Sequence, residues 1–395
     1  MHASLTLCPT THSLILLFAY IASKLIPYSF RENDDAATRR ELYKQFCQEE
    51  DLPERFKDID NFVNVEESYW TNARYVPTYR HPPQLTVFSV FRSGLLLSTC
   101  IMTPKNTITK AVVCYCHGYT DHASFSSRIS YQRLCERGIA VVSIEYEGHG
   151  RSDGPFGLIN DWDTMVDDVS CFFAEVTAQR FPEVPAFLMG ESMGGAVAYD
   201  TYNRDPSVFR GVVFVCPMCK ISDDMLPPQY VIDVLKWLIG PTGTTSLLGF
   251  LPIAPAKNNL SDLVHRIKEK GELSHRCPLN FSRNPRLATA RELINVTQRI
   301  SETVSEFEAP FLVLHGLADR VTDPNLSKTL FNESCSLDKD IRLYKGMWVR
   351  YFTFVFGCLF AHTSLKFQHG LTSGEPDENI DRVFGDVASW IADRL

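Results

Sequence analysis

The chain lacks any dense cluster of basic residues. Lys and Arg total 39 against 47 Asp and Glu among 395 residues, which gives a net charge of −8. Proteins that bind nucleic acids present basic patches that neutralise phosphates. The sequence therefore predicts no nucleic-acid partner.

Cysteine pairs with metal-binding spacing are equally scarce. The chain has 12 scattered cysteines, and its one C-x-x-C pair, Cys216/Cys219, has neither a second pair nor a histidine beside it. Structural zinc sites need four such ligands. This pair and Cys114/Cys116 lie in apolar runs, so we expect buried free thiols. The sequence implies no metal and no organic cofactor.

No complete targeting signal or clear membrane span is present either. Ser13–Ala22 is apolar but shorter than the about 20 residues that cross a bilayer. No Lys or Arg precedes it, as a signal peptide would require. Residues 1–31 are interpreted as a signal-like or anchoring segment. Localisation stays open between the cytoplasm, a membrane surface and a secretory route.

From about Gly94 onward, short apolar runs alternate with helix-like stretches such as residues 167–181 and 194–205. Buried strands that alternate with helices form mostly parallel sheets covered on both faces. This alternation of strand-like and helix-like stretches stops between about Lys220 and Ser301, where apolar helix-like runs predict an insert. Residues 32–68 are charged and helix-like. The sequence therefore predicts one α/β domain with a helical insert.

A candidate nucleophile lies in Gly190–Gly194, which reads Gly-Glu-Ser-Met-Gly. An apolar strand-like run precedes Ser192 and a helix-like stretch follows at once, which is the setting of the nucleophile elbow in α/β-hydrolases. The helix N-terminus there favours developing negative charge. We predict that Ser192 is the nucleophile. The alternative is a glycine-rich turn in which Ser192 only caps a helix.

In α/β-hydrolases an acid and then a histidine follow the serine along the chain. Asp319 follows the apolar run FLVLHG and would lie at the carboxyl end of its strand. Asp323 is the rival, although Asp323-Pro324 is typical of a helix N-cap with proline at the first helical position. We favour Asp319. Two histidines, His362 and His369, lie beyond it.

Several motifs together resemble one family. HGYTDH, YEGHGRSDG, GESMGG, LHGLADRVTDP and GMW…HGLTSGEPDEN resemble the monoacylglycerol lipase-like serine hydrolases, especially plant lysophospholipase-like and caffeoylshikimate esterase-like members. The resemblance covers residues 95–395. In that family the motif GM(W/Y)H is continuous and its histidine is the base, so the resemblance assigns the base to His369. Here residues 349–368 interrupt the motif.

Two backbone N–H groups should bind the oxyanion of a tetrahedral intermediate. By mechanism, one belongs to Met193, which follows the nucleophile. The resemblance assigns the other to Tyr119. We interpret His117 and Gly118 as residues that shape this turn, and residues 148–154 (GHGRSDG) as a bracing loop.

Two segments, 75–93 and 349–368, do not match the family pattern. A membrane span is one interpretation of residues 349–368, but Arg350, His362 and Lys366 would be costly inside a membrane. A lineage-specific loop and a retained in-frame intron are the other interpretations. Valine codons begin with GT and glutamine can be CAG, and removing 75–93 would restore the family-like TNARGLLL. We favour the intron hypothesis for both inserts.

These features predict five segments and one activity. The segments are residues 1–31 (apolar), 32–94 (extension with the first insert), 95–219 (core), 220–301 (helical cap) and 302–395 (core with the second insert). The expected fold is an α/β-hydrolase, and the expected activity is ester hydrolysis through an acyl-enzyme.

The resemblance places monoacylglycerol first among the expected substrates, followed by lysophospholipid and then a small or phenolic ester. The apolar cap runs LKWLIG and LLGFLPIAP suit an acyl chain and transient membrane contact. A catalytically impaired or ligand-binding copy, and a peptidase, are the alternatives from other classes.

Overall fold

The computed structural model describes residues 35–52, 54, 57, 62–71, 94–219, 233, 247–251, 265–319, 321–345 and 370–395. The N-terminal apolar segment, both inserts, His362, His369 and residues 220–232, 234–246 and 252–264 of the expected cap lie outside these residues. Among the helices of the described part, none is long and apolar enough to cross a membrane.

The described residues contain eight strands and eight α-helices. The strands are β1 (Val63–Thr71), β2 (Leu96–Pro104), β3 (Ala111–Cys116), β4 (Ile139–Ile144), β5 (Ala186–Glu191), β6 (Phe209–Val215), β7 (Phe311–Gly316) and β8 (Lys339–Tyr344). The helices are α1 (Ala36–Glu49), α2 (Phe125–Cys135), α3 (Trp162–Arg180), α4 (Met193–Arg204), α5 (Lys268–Arg276), α6 (Leu287–Thr303), α7 (Pro324–Glu333) and α8 (Asp377–Ala392).

All eight strands form one sheet in the order β1-β2-β4-β3-β5-β6-β7-β8. The pairs β1/β2 and β2/β4 are antiparallel, and the remaining pairs are parallel. Every residue of β3, β4, β5 and β7 is buried. Continuous apolar burial is typical of parallel strands covered on both faces. The predicted α/β class with a mostly parallel sheet is confirmed.

Two apolar clusters fill the space between the sheet and its helices. Side chains of α3, α4 and α6 pack on one face of the sheet, and side chains of α1, α2 and α8 pack on the other. In α8 the buried positions Val383, Phe384, Val387 and Ile391 recur at helical spacing. The predicted helices over 167–181 and 194–205 are present as α3 and α4.

The expectation of a helix over residues 32–68 is only partly correct. Ala36–Glu49 is helical, but Val63–Thr71 is the edge strand β1. Its first residues alternate, with Val63 buried, the next residue exposed and Val65 partly buried. This alternation has the period of a strand. The charged residues that dominate the segment conceal it in the sequence.

Candidate active site

Ser192 lies in the tight turn between β5 and α4. Its φ of 56° and ψ of −121° fall in a region that residues other than glycine adopt rarely. Its N–H donates to the carbonyl of Val215 at 3.0 Å, and its carbonyl accepts from the N–H groups of Gly195 and Met218, both at 2.9 Å. The backbone therefore holds Ser192 in a strained conformation, with the side chain partly exposed.

Glycines on both sides of Ser192 allow the turn to close. A Cβ on Gly190 would lie 2.1 Å from the carbonyl oxygen of Gly194, and a Cβ on Gly194 would lie 2.0 Å from that of Cys116. Real Cβ atoms do not approach backbone this closely. The predicted strand–turn–helix setting of Gly190–Gly194 is confirmed.

The carboxylate of Asp319 is buried just beyond the end of β7. Its Oδ1 accepts hydrogen bonds from the N–H groups of Val321 (2.7 Å) and Thr322 (3.1 Å), and its Oδ2 accepts one from the Thr322 hydroxyl at 2.7 Å. The rival Asp323 caps α7 by accepting from the N–H of Asn325 at 2.8 Å, as its sequence context predicts. The carboxylate of Asp319 is thus fixed in one orientation.

His315 contacts the carboxylate of Asp319. It is fully buried, and its Nε2 lies 3.1 Å from Oδ2 of Asp319. Its Nδ1 lies 2.7 Å from the hydroxyl of Ser327. No role was predicted for this residue from the sequence, although it stands in the same motif as Asp319, LHGLAD, four residues before it.

Cys216, His315 and Asp319 form the kind of group that could hold a metal ion, with ligand atoms within 4.8 Å of one another. Burial and the nearby charge of Asp319 raise the pKa of Cys216 well above its usual value, so the thiol stays protonated. Metals bind the thiolate. Both ring nitrogens of His315 lie within hydrogen-bond distance of protein atoms. This donor set is paired internally and does not fit a metal.

The loop after β3 carries the predicted oxyanion-hole residue Tyr119. Burial lowers the pKa of His117 to about 3, so its ring is neutral. Its Nδ1 lies 2.8 Å from the carbonyl of Gly118, and its Nε2 lies 3.3 Å from the N–H of Tyr146, so the proton is assigned to Nδ1. A Cβ on Gly118 would lie 3.5 Å from the Cβ of Ser192. His117 thus shapes a turn that lies directly against Ser192.

The side chain of Tyr119 ties this turn to neighbouring loops. Its hydroxyl donates to the carbonyl of Gly157 at 3.1 Å, and its ring packs edge-on against His149 with a centroid separation of 5.7 Å. The carbonyl of Gly157 also accepts from the hydroxyl of Thr289 in α6, at 2.9 Å. Met193, whose amide is the other predicted oxyanion donor, begins α4 and is fully buried.

The bracing loop of residues 148–154 is held by an arginine from α1. Arg39 is fully buried and donates to the carbonyls of Gly150 (3.0 Å), Ser152 (2.6 Å) and Gly154 (3.2 Å). No sequence motif marks Arg39, because its partners lie more than a hundred residues away. The contact supports the bracing role predicted for this loop.

The predicted base His369 lies outside the described residues, but the segment that follows it does not. Thr372 is buried, and its hydroxyl donates to the carboxylate of Glu191, the residue before Ser192. Glu375 is fully buried and pairs with Arg266 at 3.0 Å. The chain directly after His369 therefore packs beside the nucleophile turn.

Comparisons with known proteins place the chain in a family. The model of the Hydrolase_4 family, serine aminopeptidase S33, matches residues 107–349. The caffeoylshikimate esterase of Arabidopsis thaliana is 29% identical over 338 residues, which cover 84% of this chain and 90% of that protein. The monoacylglycerol lipase of Mycolicibacterium smegmatis is 27% identical over 303 residues, which cover 76% of this chain and 95% of that protein.

A solved structure supports the fold. The monoacylglycerol lipase of Paleococcus ferrophilus superposes with a TM-score of 0.56 at 21% identity, and the match covers 75% of this chain and 99% of that one. At this identity the likeness establishes the fold alone. With the family match over most of the core, the chain belongs to the Hydrolase_4 (serine aminopeptidase S33) family of α/β-hydrolases, and its relatives point to ester hydrolysis.

Proposed function

We propose that this chain is a serine carboxylic-ester hydrolase. Ser192 is the nucleophile, His369 the general base and Asp319 the acid that orients it. The amides of Met193 and Tyr119 bind the oxyanion. The observation that carries the proposal is the strained Ser192, whose φ of 56° can only be maintained by the close-packed glycine turn around it.

The reaction proceeds in two halves. The Ser192 oxygen attacks the ester carbonyl carbon while its proton passes to His369, and the carbonyl oxygen becomes an oxyanion. Collapse of this intermediate expels the alcohol, which takes the proton from His369 and leaves an acyl-enzyme. Water then attacks the acyl carbon, again with His369 as base, and releases the carboxylic acid and free Ser192.

The surroundings of Asp319 and of the segment that follows His369 support the proposed roles. Each oxygen of the Asp319 carboxylate accepts a hydrogen bond from Thr322, so the carboxylate can be presented in one orientation to an imidazole. Thr372 anchors the chain three residues after His369 to Glu191, beside the nucleophile. This anchor favours His369 over His362 as the base.

We propose monoacylglycerol as the substrate. Relatives named monoacylglycerol or monoglyceride lipase, from Mycolicibacterium smegmatis and Rattus norvegicus, support this choice, at 27% identity each. The relative named caffeoylshikimate esterase favours a phenolic ester as the second candidate. Lysophospholipid is the third. The apolar runs of the expected cap suit transient contact with the membrane that supplies a lipid ester.

The test combines active-site labelling with a substrate panel. Wild type, Ser192→Ala and Ser389→Ala are treated with a fluorophosphonate probe and assayed on a long-chain monoacylglycerol, a lysophospholipid and a phenolic ester. Ser389 is exposed on α8 and provides the matched control. We expect labelling and turnover in wild type and in Ser389→Ala, and neither in Ser192→Ala, with monoacylglycerol turned over fastest.

Two outcomes contradict the proposal. Folded wild-type protein that reacts with neither probe nor ester would be an impaired or ligand-binding copy. Fastest turnover of the phenolic ester would keep the serine mechanism and replace the proposed substrate.

A further inference from the structure

A buried glutamate joins the two loops beside the nucleophile. Glu145 follows β4 and is 1% exposed. Its Oε1 accepts hydrogen bonds from the N–H of Ala123 at 3.1 Å and from the hydroxyl of Ser124 at 2.8 Å. Its Oε2 accepts one from the N–H of Arg151 at 2.7 Å. One carboxylate thus holds the end of the loop after β3 and the middle of the bracing loop.

This carboxylate is ionised. Burial by itself would raise the pKa of Glu145. The guanidinium of Arg151, whose Nε lies 3.8 Å from Oε2, acts together with His122 and the hydrogen bonds from the Arg151 N–H and the Ser124 hydroxyl, and their combined effect holds the pKa below its usual value. A buried charge is costly unless it is fully paired. The three hydrogen bonds and the ion pair of Glu145 meet that requirement.

The bracing loop fits closely around the same carboxylate. Gly150 has a φ of +51°, and a Cβ on it would lie 2.4 Å from Oε2 of Glu145. The same loop is also held by Arg39, which donates a hydrogen bond to the carbonyl of Gly150. Arg39 and Glu145 therefore both bind the segment of residues 150–151, so the carboxylate of Glu145 has little freedom to move.

The loop after β3, here called the oxyanion loop (residues 117–124), needs such an anchor. Thr120 in this loop has a φ of 70°, which costs free energy for a residue with a Cβ and persists only where the surroundings enforce it. One end of the loop is fixed at Gly118, against Ser192. The other end is fixed by Ala123 and Ser124 on Glu145.

We propose that Glu145 is a positioning residue that sets the amide of Tyr119 at the oxyanion site by anchoring the far end of the oxyanion loop. The inference rests on the proposed function. Oxyanion donors act on the transition state and hardly on the bound substrate. Loss of the anchor therefore lowers kcat and leaves KM nearly unchanged.

The experiment replaces Glu145 by its uncharged isostere. In Glu145→Gln the side chain has one acceptor oxygen and one NH2 group, so a donor faces the N–H of Ala123 in one orientation and the N–H of Arg151 in the other. Loss of the charge also weakens the hydrogen bonds to the oxyanion loop that remain. Glu67→Gln is the matched control, because Glu67 pairs with the same Arg151 (2.9 Å) from the exposed face of β1.

Two assays are run on the wild type and both variants. The first gives kcat and KM on the ester that wild type turns over fastest. The second gives the Ki of an alkyl trifluoromethyl ketone, which adds the serine oxygen and forms a tetrahedral adduct whose oxyanion occupies the same site. For Glu145→Gln we expect kcat to fall about 10–100-fold, KM to stay within about 2-fold and Ki to rise in proportion to the loss of kcat/KM.

A milder variant covers the case in which Glu145→Gln fails to fold. Ser124→Ala removes one anchor only, and Ser124 makes no side-chain cap for α2. It should lower kcat and raise Ki in the same direction by a smaller factor. Folded variants with wild-type kcat and Ki, or a loss confined to KM, would overturn the inference. Absence of activity in wild type would instead refute the proposed function.

Discussion

Ser192 and Thr120 both have positive φ angles, 56° and 70°. Such conformations cost about 1–3 kcal/mol each for residues with a Cβ. They lie in the two turns from which the proposed oxyanion donors come. The surrounding structure maintains both turns, through the glycines beside Ser192 and through Glu145 at the end of the oxyanion loop. In the described part of the chain, two of the five residues that have a Cβ and a positive φ thus lie where the proposed chemistry needs fixed geometry.

Asp121, also in the oxyanion loop, makes folding depend on pH. Burial raises its pKa to about 7, and the nearby carboxylates of Glu191 and Glu145 act in the same direction. The folded chain therefore holds a proton that the unfolded chain releases above about pH 4. Stability is lost as pH rises from about 4 through about 7, because the unfolded state is then favoured by deprotonation.

Asp121→Asn removes this pH-dependent loss. We expect the variant to melt about 2–4 °C above wild type at about pH 8, and at the same temperature as wild type at about pH 4. Melting curves at both pH values measure this, with the exposed Asp393→Asn as the control. An equal difference at the two pH values would show that the charge of Asp121 is not the cause.

At the scale of elements, the contact between Thr372 and Glu191 links the end of β5 to the segment after His369. Thr372→Val keeps the shape of the side chain and removes the hydroxyl. We expect kcat to fall about 10-fold with KM nearly unchanged, because the proposed base is then held less firmly. Unfolding by denaturant should show a loss of about 1.5–3 kcal/mol, because the hydroxyl donates to a buried carboxylate.

The control for this variant is Thr329→Val, an exposed threonine on α7. It changes the same atoms away from the site and should leave kcat at the wild-type value. Wild-type kcat in Thr372→Val, or a rise of KM alone, would contradict the positioning of His369 through this contact.

The elements also differ in how far the sequence could predict them. The buried parallel strands and the turn at Ser192 were predictable, because apolar runs, glycines and the following helix are local signals. The role of Arg39 was not, because its partners lie in a loop more than a hundred residues away. The role of Glu145 was not predictable either, because in the sequence it is an ordinary residue at the end of a strand and only the fold brings the oxyanion loop beside it.

On the scale of the whole molecule, the described residues that flank the first insert belong to two paired strands. Thr71 at the end of β1 is paired with Leu96 at the start of β2. The ends of the segment that contains residues 75–93 are therefore neighbours across an antiparallel ladder. Without the insert, residues 72–74 and 94–95 remain as a hairpin loop of ordinary length.

The second insert, unlike the first, interrupts a motif that contains a proposed catalytic residue. Residues 349–368 lie between the end of β8 and Gly370, which is buried. Their removal joins Trp348 directly to His369 and restores the continuous motif GMWH. Since loop closure costs only about 0.6 kcal/mol for each doubling of length, neither insert is expected to prevent folding.

Deleting each insert separately tests the intron hypothesis at the level of the protein. Removal of 75–93 should leave kcat/KM within about 3-fold of wild type and raise the free energy of unfolding by about 1–2 kcal/mol, because the paired ends close a shorter loop. Removal of 349–368 should raise kcat/KM by about 10-fold or more, because His369 is then held from both sides. If the full-length chain is active and a deletion abolishes that activity, the deleted segment is a genuine part of the fold. Transcripts that retain the segment in every tissue would support the same conclusion.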